Sequence, residues 1–314
     1  MDGILVIDKP TGPTSHDVVS AVRKILKEKK VGHTGTLDPM ATGVLPLVLG
    51  NATKLARYLS GGDKTYRATI TLGIRTNTLD AVGDVIETKP VNVDPSTIPG
   101  VLAQFVGNIE QLPPMYSAKK MEGKRLYELA RQGIEIERET KHVKIYTITM
   151  LRCELPEIEF DVSCSVGTYV RTLAEDIGLA LGCGAHLSKL SRLKAGPFSL
   201  EQAISLEQLK EHPEMAKEHL QPLESAISAL PRLQIPGYMA RALATGYQLS
   251  VGDLKNLDAP LFATDDAIAI SIENGALIAV ARAQIESGDL DQHRRQHRAL
   301  TTERVINRQA ATSA

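Results

Sequence analysis

Apolar residues fall in short runs cut by turn formers, and their period changes along the chain. Ile4 to Ile7 is a continuous apolar run, the mark of a short buried strand, and Asp8-Lys9-Pro10-Thr11-Gly12-Pro13 after it is a turn-rich loop. Val18, Val19, Val22, Ile25 and Leu26 then recur at helical spacing behind Ser15, which suits an N-cap. A glycine- and threonine-rich segment opens into a second apolar run, Val44 to Leu49. Residues 52–59 read as helix. Tyr66 to Leu72 alternates, as a half-buried strand does. Strands are predicted over 142–153 and 158–165, and a helix over 169–181 stopped by Gly182.

Three stretches break this pattern. Residues 90–100 are rich in proline and aspartate and read as a loop. Residues 112–141 open with Leu112-Pro113-Pro114 and are highly charged, with one helix predicted over Arg125–Arg131 and Gly133 as its C-cap. So charged a segment cannot anchor a core, and it reads as a mobile lobe over a site. Pro213, Pro222, Pro231 and Pro236 mark a domain boundary near residue 230, dividing the chain into 1–229 and 230–314. The second part carries a short helix before Gly246 and strands near 267–272 and 277–283, which suits a compact β-rich module. A polar tail from about residue 284, with Arg294, Arg295 and Arg298, is expected to be partly disordered.

The 314 residues leave room for one large domain and one small one. A net charge of -1 excludes a protein that is basic all over, so any nucleic-acid binding needs a local basic face. Arg23, Lys24, Lys27, Lys29 and Lys30 form one candidate, and Lys119, Lys120, Lys124, Arg125 and Arg131 a second. Each also reads as an ordinary solvated helix face. No apolar run reaches the length of a membrane span, and the N-terminus lacks the basic and apolar blocks of a signal peptide. Cys153, Cys164 and Cys183 are odd in number and widely spaced, which argues against disulfides and zinc. The expected setting is a reducing cytoplasm, with no membrane contact and no metal.

The chemistry concentrates in residues 32–47. Asp38 stands in a loop bracketed by Gly32, Gly35 and Gly43, with His33 before it and Pro39 next to it. The proline pushes Asp38 out of helical geometry, so the carboxylate is displayed from a shaped loop. The segment holds no second acid, which fits a nucleophile better than a two-carboxylate hydrolase. Arg171 falls in the first turn of a predicted helix, where a cation opposes the helix dipole by about 0.3–1 kcal/mol. An arginine placed there against that preference faces an anion.

The run Gly32-His33-Thr34-Gly35-Thr36-Leu37-Asp38-Pro39, followed by Ala41-Thr42-Gly43, resembles the catalytic motif of pseudouridine synthases of the TruB type. Three further segments carry the same resemblance: Lys9-Pro10-Thr11-Gly12-Pro13-Thr14-Ser15, Lys64-Thr65-Tyr66, and Cys164-Ser165-Val166-Gly167-Thr168-Tyr169-Val170-Arg171-Thr172-Leu173. The likeness spans residues 1–225 and is weak beyond 230.

The resemblance implies an α+β fold, a central mixed, mostly antiparallel sheet flanked by helices, with a small β-rich PUA-like RNA-binding domain at the C-terminus. It implies conversion of a T-loop uridine of tRNA, position 55, to pseudouridine. Asp38, Arg171 and Tyr66 would be catalytic, with the Arg171 guanidinium favouring and aiming the Asp38 carboxylate. Tyr66 would also stack on the target uracil, with Tyr169 and Leu190 lining the pocket and His33 holding the extruded nucleotide. Lys9 would support the site or meet phosphate. The isomerisation exchanges no electrons and loses no group, so no cofactor is expected. The partner would be the T-arm of tRNA, clamped by residues 112–141, and the enzyme would work as a monomer without guide RNA. A pure RNA chaperone and a nucleoside-cleaving hydrolase are the competing readings.

Overall fold

The computed structural model describes residues 1–117, 120–121, 124–125, 130, 134, 136–273 and 275–307. Its main strands and helices, in chain order, begin with β1 (Gly3–Lys9), α1 (Ser15–Leu26), β2 (Thr42–Leu49) and β3 (Lys64–Leu72). They continue with α2 (Ile98–Ala103), β4 (Gly107–Gln111), β5 (Lys141–Glu154), β6 (Glu157–Cys164), α3 (Val170–Ala180) and β7 (Ala185–Ala195). The C-terminal part holds β8 (Arg232–Ile235), α4 (Gly237–Ala244), β9 (Ala267–Ile272), β10 (Leu277–Ala283) and β11 (Leu300–Val305).

The main sheet runs β1-β2-β7-β3-β6-β5-β4. Every neighbour along that path is antiparallel except β2 against β7, where Ser191 pairs with Thr42 and Arg192 with Gly43. The parallel step matters for the site. It lays the C-terminal half of β7 beside the point where the Asp38 loop enters β2.

The two continuous apolar runs are explained by burial on both faces of the sheet. Along β1, Leu5 and Ile7 face the helix side while Ile4 and Val6 face the opposite side; along β2, Leu45, Leu47 and Leu49 alternate with Val44 and Val48 in the same way. Val18, Val19 and Val22 of α1 and Leu173, Ala174 and Ile177 of α3 cover the first face. Ala269, Leu277, Val280 and Ile306 of the C-terminal part belong to the cluster on the second. Each such buried valine, leucine or isoleucine contributes about 1.5–3 kcal/mol, so both faces hold the central strands in place.

The C-terminal strands form their own sheet, β8-β9-β10-β11, over a separate core that includes Leu233, Leu243, Ile270 and Leu300. Lys54 fastens it to the main sheet by donating to the carbonyls of Val305 and Ile306, both at 3.0 Å. No helix among the described residues is long and apolar enough to cross a membrane.

Four expectations change. The N-cap of α1 is Thr14, which forms a capping box with Asp17, because Ser15 is turned inward. Residues 98–103 are helix, not loop, since Pro99 sits in the first turn, where a missing N–H costs nothing. The tail expected to be partly disordered is ordered through β11, whose Leu300 is fully buried, while its last residues, 308–314, lie outside the described residues. The helix expected over Arg125–Arg131 lies almost wholly outside the described residues, and Arg125 itself is in a two-residue strand paired with Lys120.

Candidate active site

Asp38 is held by a cradle built from the segment after β1. Lys9 is fully buried and its Nζ donates to the carbonyls of Pro10 (2.9 Å), Pro39 (3.2 Å) and Ala41 (2.7 Å). The Gly12 amide donates to Pro39 O at 2.8 Å. The Ser15 hydroxyl donates to Leu37 O at 3.1 Å and accepts from Leu37 N at 2.8 Å. The residues flanking Asp38 are thus fixed while its carboxylate is left to point outward. Lys9 spends all three donors on carbonyls, so none remains for a phosphate, and of its two expected roles support of the loop is the one that its geometry allows.

Arg192 of β7 braces the same loop from the other side. It is 1% exposed and donates through Nε to Val44 O at 2.7 Å, through Nη1 to Thr36 O at 3.3 Å and through Nη2 to Gly35 O at 3.1 Å. Gly43 makes this approach possible. Its φ is +97°, and a Cβ there would lie 2.3 Å from the Arg192 carbonyl oxygen.

Arg171 enters the site from the first turn of α3, as the dipole argument requires. Its Nε lies 3.0 Å from Asp38 Oδ2 and its Nη2 donates to Asp38 Oδ1 at 3.3 Å. The same guanidinium reaches a second carboxylate, Asp80, at 3.5 Å through Nη1. It also donates to Thr78 O (3.2 Å) and Tyr116 O (2.8 Å). Asp80 is buried and fixed in turn, its Oδ1 accepting from the Thr78 hydroxyl at 2.7 Å and from Val82 N at 3.1 Å. Between Thr78 and Asp80, Leu79 adopts a φ of 65°, which is rare for leucine.

Desolvation works against the expected pairing of Asp38 with Arg171. About a third of the Asp38 side-chain surface is open (35%), yet the surrounding protein excludes enough water to push its carboxyl above the ordinary value. Arg171 and Lys9 pull it down and Asp80 pushes it up, and the net direction is up. The guanidinium therefore aims the carboxylate and only partly offsets its desolvation. Burial lowers Lys9 to about 8, with the Asp38 charge opposing the fall.

Tyr66 is buried on β3 opposite Arg192, and burial raises its phenol above the ordinary value while Arg192 works the other way. Leu190 is buried in the same cluster as Tyr66, Leu37 and Val170. Tyr169 caps α3 and is locked at the backbone by the Gln111 amide, which accepts from Tyr169 N at 2.9 Å and donates to Tyr169 O at 3.2 Å. His33 is half-buried on the strand Val31–His33, and among the described residues its Nδ1 has no hydrogen-bond partner. Burial, with Arg192 and His16, lowers its proton affinity.

Asp80, Arg192 and Gln111 escape a reading of the sequence. Each acts through a partner far away along the chain. The one local signal is the turn-rich run Thr76-Asn77-Thr78-Leu79-Asp80 between two strands.

The profile of the TruB family pseudouridylate synthase N-terminal domain matches residues 23–170, and that of the tRNA pseudouridylate synthase B C-terminal domain matches residues 171–228. The chain belongs to the TruB family of pseudouridylate synthases. It is 47% identical over 260 residues to tRNA pseudouridine synthase B of Burkholderia lata, covering 82% of this chain and 81% of that one. The corresponding protein of Burkholderia mallei is 44% identical over 284 residues, 90% of this chain and 93% of its own. Among solved structures, a Cbf5-Nop10-Gar1 complex matches with a TM-score of 0.78 at 32% identity, over 98% of this chain and 86% of that one. An H/ACA RNP bound to a substrate RNA containing 2'-deoxyuridine matches with a TM-score of 0.75 at 31% identity, over 98% and 86%. This TruB-family enzyme is an isomerase, and its fold is the α+β pseudouridine synthase fold.

Proposed function

We propose that this enzyme isomerises the uridine at position 55 in the T-loop of tRNA, acting without guide RNA. The observation that carries the reading is the Asp38 carboxylate, displayed from a loop braced on both sides and gripped by a buried arginine.

The reaction breaks the bond from C1′ to N1, turns the uracil and joins C1′ to C5. The proton on C5 then leaves, and N1 gains one. Breaking a glycosidic bond builds positive character at C1′, which a carboxylate can stabilise or capture. Attack at C6 and removal of a ribose proton to give a glycal make the same demand, an ionised carboxylate beside the sugar. Arg171 sets the direction of that carboxylate, and Lys9 and Arg192 set the position of its loop.

The target atoms are buried in folded RNA, so the nucleotide must be extruded at a cost of a few kcal/mol. Stacking on Tyr66 offsets about 1–3 kcal/mol of it. Tyr169 and Leu190 form the remaining wall, and the half-buried His33, with its unpartnered Nδ1, meets the extruded nucleotide. Residues 112–141 clamp the T-arm, and residues 230–314 form a PUA-like RNA-binding domain.

Tritium release from 5-labelled uridine in a tRNA transcript tests the reading. Wild type releases the label stoichiometrically, and Asp38→Asn slows release by about 10³-fold or more while binding RNA within tenfold of wild type. Equal, negligible release by both proteins would overturn the assignment. Free uracil among the products would show a hydrolase instead.

A further inference from the structure

Arg192 on β7 is a buried cation without a carboxylate. Its guanidinium donates to the carbonyls of Val44, Thr36 and Gly35. Among the described residues no acid pairs with it, while Arg171 takes both carboxylates of the site, Asp38 and Asp80. The third buried cation, Lys9, is lowered to about 8 by burial, against the pull of the Asp38 charge. A lysine in such a place can shed its proton, and a guanidinium cannot. Three cations thus face two carboxylates, and Arg192 holds the permanent charge that is left over.

Bracing a loop does not require that charge. Neutral hydroxyls and amides bind carbonyls as well, as Ser15 does at Leu37, and burying an ion costs far more than burying an amide. The charge is felt in the pocket. Tyr66 is the direct cross-strand partner of Arg192, and Leu190, two residues before it, shares its face of β7. Burial has the largest effect on the proton affinities of Tyr66, His33, Lys64 and Lys9, and at each of them the Arg192 charge favours the less positive form. Tyr66, Leu190 and His33 are the side chains proposed to hold the target nucleotide, so the field of Arg192 extends to where its uracil would lie.

We infer that the Arg192 charge stabilises the negative charge that builds on the uracil ring as N1 parts from C1′. The bond breaks with its electron pair staying on N1, and the charge spreads to O2 and O4. Elimination to a glycal leaves the pair on N1 again, and attack at C6 places it on C5 and O4, so every route loads the ring with negative charge. A fixed guanidinium in a site that excludes water favours that charge without reorganising. Joining C5 to C1′ returns the pair to a bond, and loss of a proton from C5 with gain of one at N1 completes the isomer. The inference deepens the reading of the chain as a uridine isomerase and rests on it.

The test compares two T-arm hairpins, one with uridine at the target position and one with 5-fluorouridine, in single-turnover assays of the full-length protein at about pH 6.5, where N3 of both rings keeps its proton. Fluorine makes the uracil anion the more stable of the two, and conversion is read as loss of the starting nucleoside in digests. Arg192→Gln slows uridine by about 10²-fold or more, and slows 5-fluorouridine by a factor about tenfold smaller, since a better leaving anion leans less on the charge. Arg192→Lys keeps the charge, and with it the wild-type ratio of the two rates, even where the loop relaxes. Ser15→Ala loosens the Asp38 loop without changing a charge and lowers both rates by one factor. Hairpin affinities stay within about threefold of wild type in every variant. Should Arg192→Gln be unfolded by circular dichroism, Arg192→Met, which removes a costly buried ion, is read in its place. An unaltered ratio in the neutral variant overturns the inference, as does failure of both neutral variants to fold, which would make Arg192 a structural residue. A fall in affinity with a salt slope lower by about 0.7–0.9 and an unaltered ratio would overturn it too, by placing the charge against phosphate. Wild type that binds both hairpins and converts neither nucleoside would instead count against the enzymatic reading.

Discussion

The Arg171 guanidinium meets the Asp38 carboxylate side-on, Nε 3.0 Å from Oδ2 and Nη2 3.3 Å from Oδ1. The same group holds Asp80 and two carbonyls, so it is the joint between the Asp38 loop, the Thr78–Asp80 turn and Tyr116. A lysine could supply the charge but not the fork. Arg171→Lys is therefore expected to fold and bind RNA within a few-fold of wild type while losing about 10²-fold or more in single-turnover rate. Arg171→Ala leaves two carboxylates facing each other unpaired. A fully buried pair broken this way costs about 3–5 kcal/mol, and the partial exposure of Asp38 reduces that to about 1–3 kcal/mol. Urea melts of the two variants separate the effects, and a lysine variant with wild-type turnover would show that the fork is dispensable.

Asp80 and Arg171 act on Asp38 in opposite senses, and the difference is visible in pH. In the proposed mechanism Asp38 acts as a carboxylate, and its proton affinity is raised, so the rate is expected to fall as pH is lowered through a value above the ordinary one for aspartate. Asp80 contributes to that rise. Asp80→Asn removes a neighbouring negative charge, lowers the proton affinity of Asp38 and moves the acid limb of the single-turnover profile to lower pH. The maximal rate falls as well, because Arg171 loses one of its fixed partners. A limb that stays put or moves to higher pH would separate Asp80 from the electrostatics of Asp38.

The parts of the site that depend on local sequence were legible, and those that depend on folding were not. The Asp38 loop announces itself by glycines and Asp-Pro, and Arg171 by its unfavourable place at a helix start. Strands β3, β9 and β10 follow directly from apolar pattern. Asp80 and Arg192 carry no such mark, because a carboxylate in a turn and an arginine in a strand look alike whether they face water or a catalytic loop. The tail misleads for the opposite reason. Its polar composition suggests disorder, yet β11 needs only Leu300 and the ladder to β10 to be held. Residues 98–103 hide a helix because a proline in a first turn reads as a breaker.

Asp176 on α3 offers a test of stability independent of catalysis. Burial, and then the charge of Glu175, raise its carboxyl to about 6. Between the ordinary value of 3.8 and about 6 the unfolded chain is ionised while the folded protein keeps the proton. Stability from this group is thus present at low pH and lost as pH rises through that window. Asp176→Asn escapes the penalty. It is expected to be more stable than wild type by about 1–2 kcal/mol at pH 7.5, with the gap narrowing at pH 4.5. A tenfold change in proton affinity corresponds to about 1.4 kcal/mol, and solvent reaching the partly exposed carboxyl screens some of the total. Urea melts at the two pH values check this, and a variant less stable at pH 7.5 would show that the carboxylate has a partner worth more than its desolvation.

Lys9 decides between a structural and a substrate role for the most buried cation of the site. Its amine, at about 8, is still charged at neutral pH, and two of its three hydrogen bonds join the end of strand β1 to Pro39 and Ala41, just after Asp38. Lys9→Met keeps the aliphatic stem and removes the donors, leaving buried carbonyls unpaired at a cost of about 1–3 kcal/mol. The loop then relaxes, and a displacement of the carboxylate by about 1 Å is enough to cost about 10²-fold in rate. RNA affinity and its salt dependence are expected to stay as in wild type, because the amine has no route to a phosphate. A salt slope lower by about 1 in Lys9→Met would place the lysine against the RNA backbone after all, with the loop opening on binding to release it.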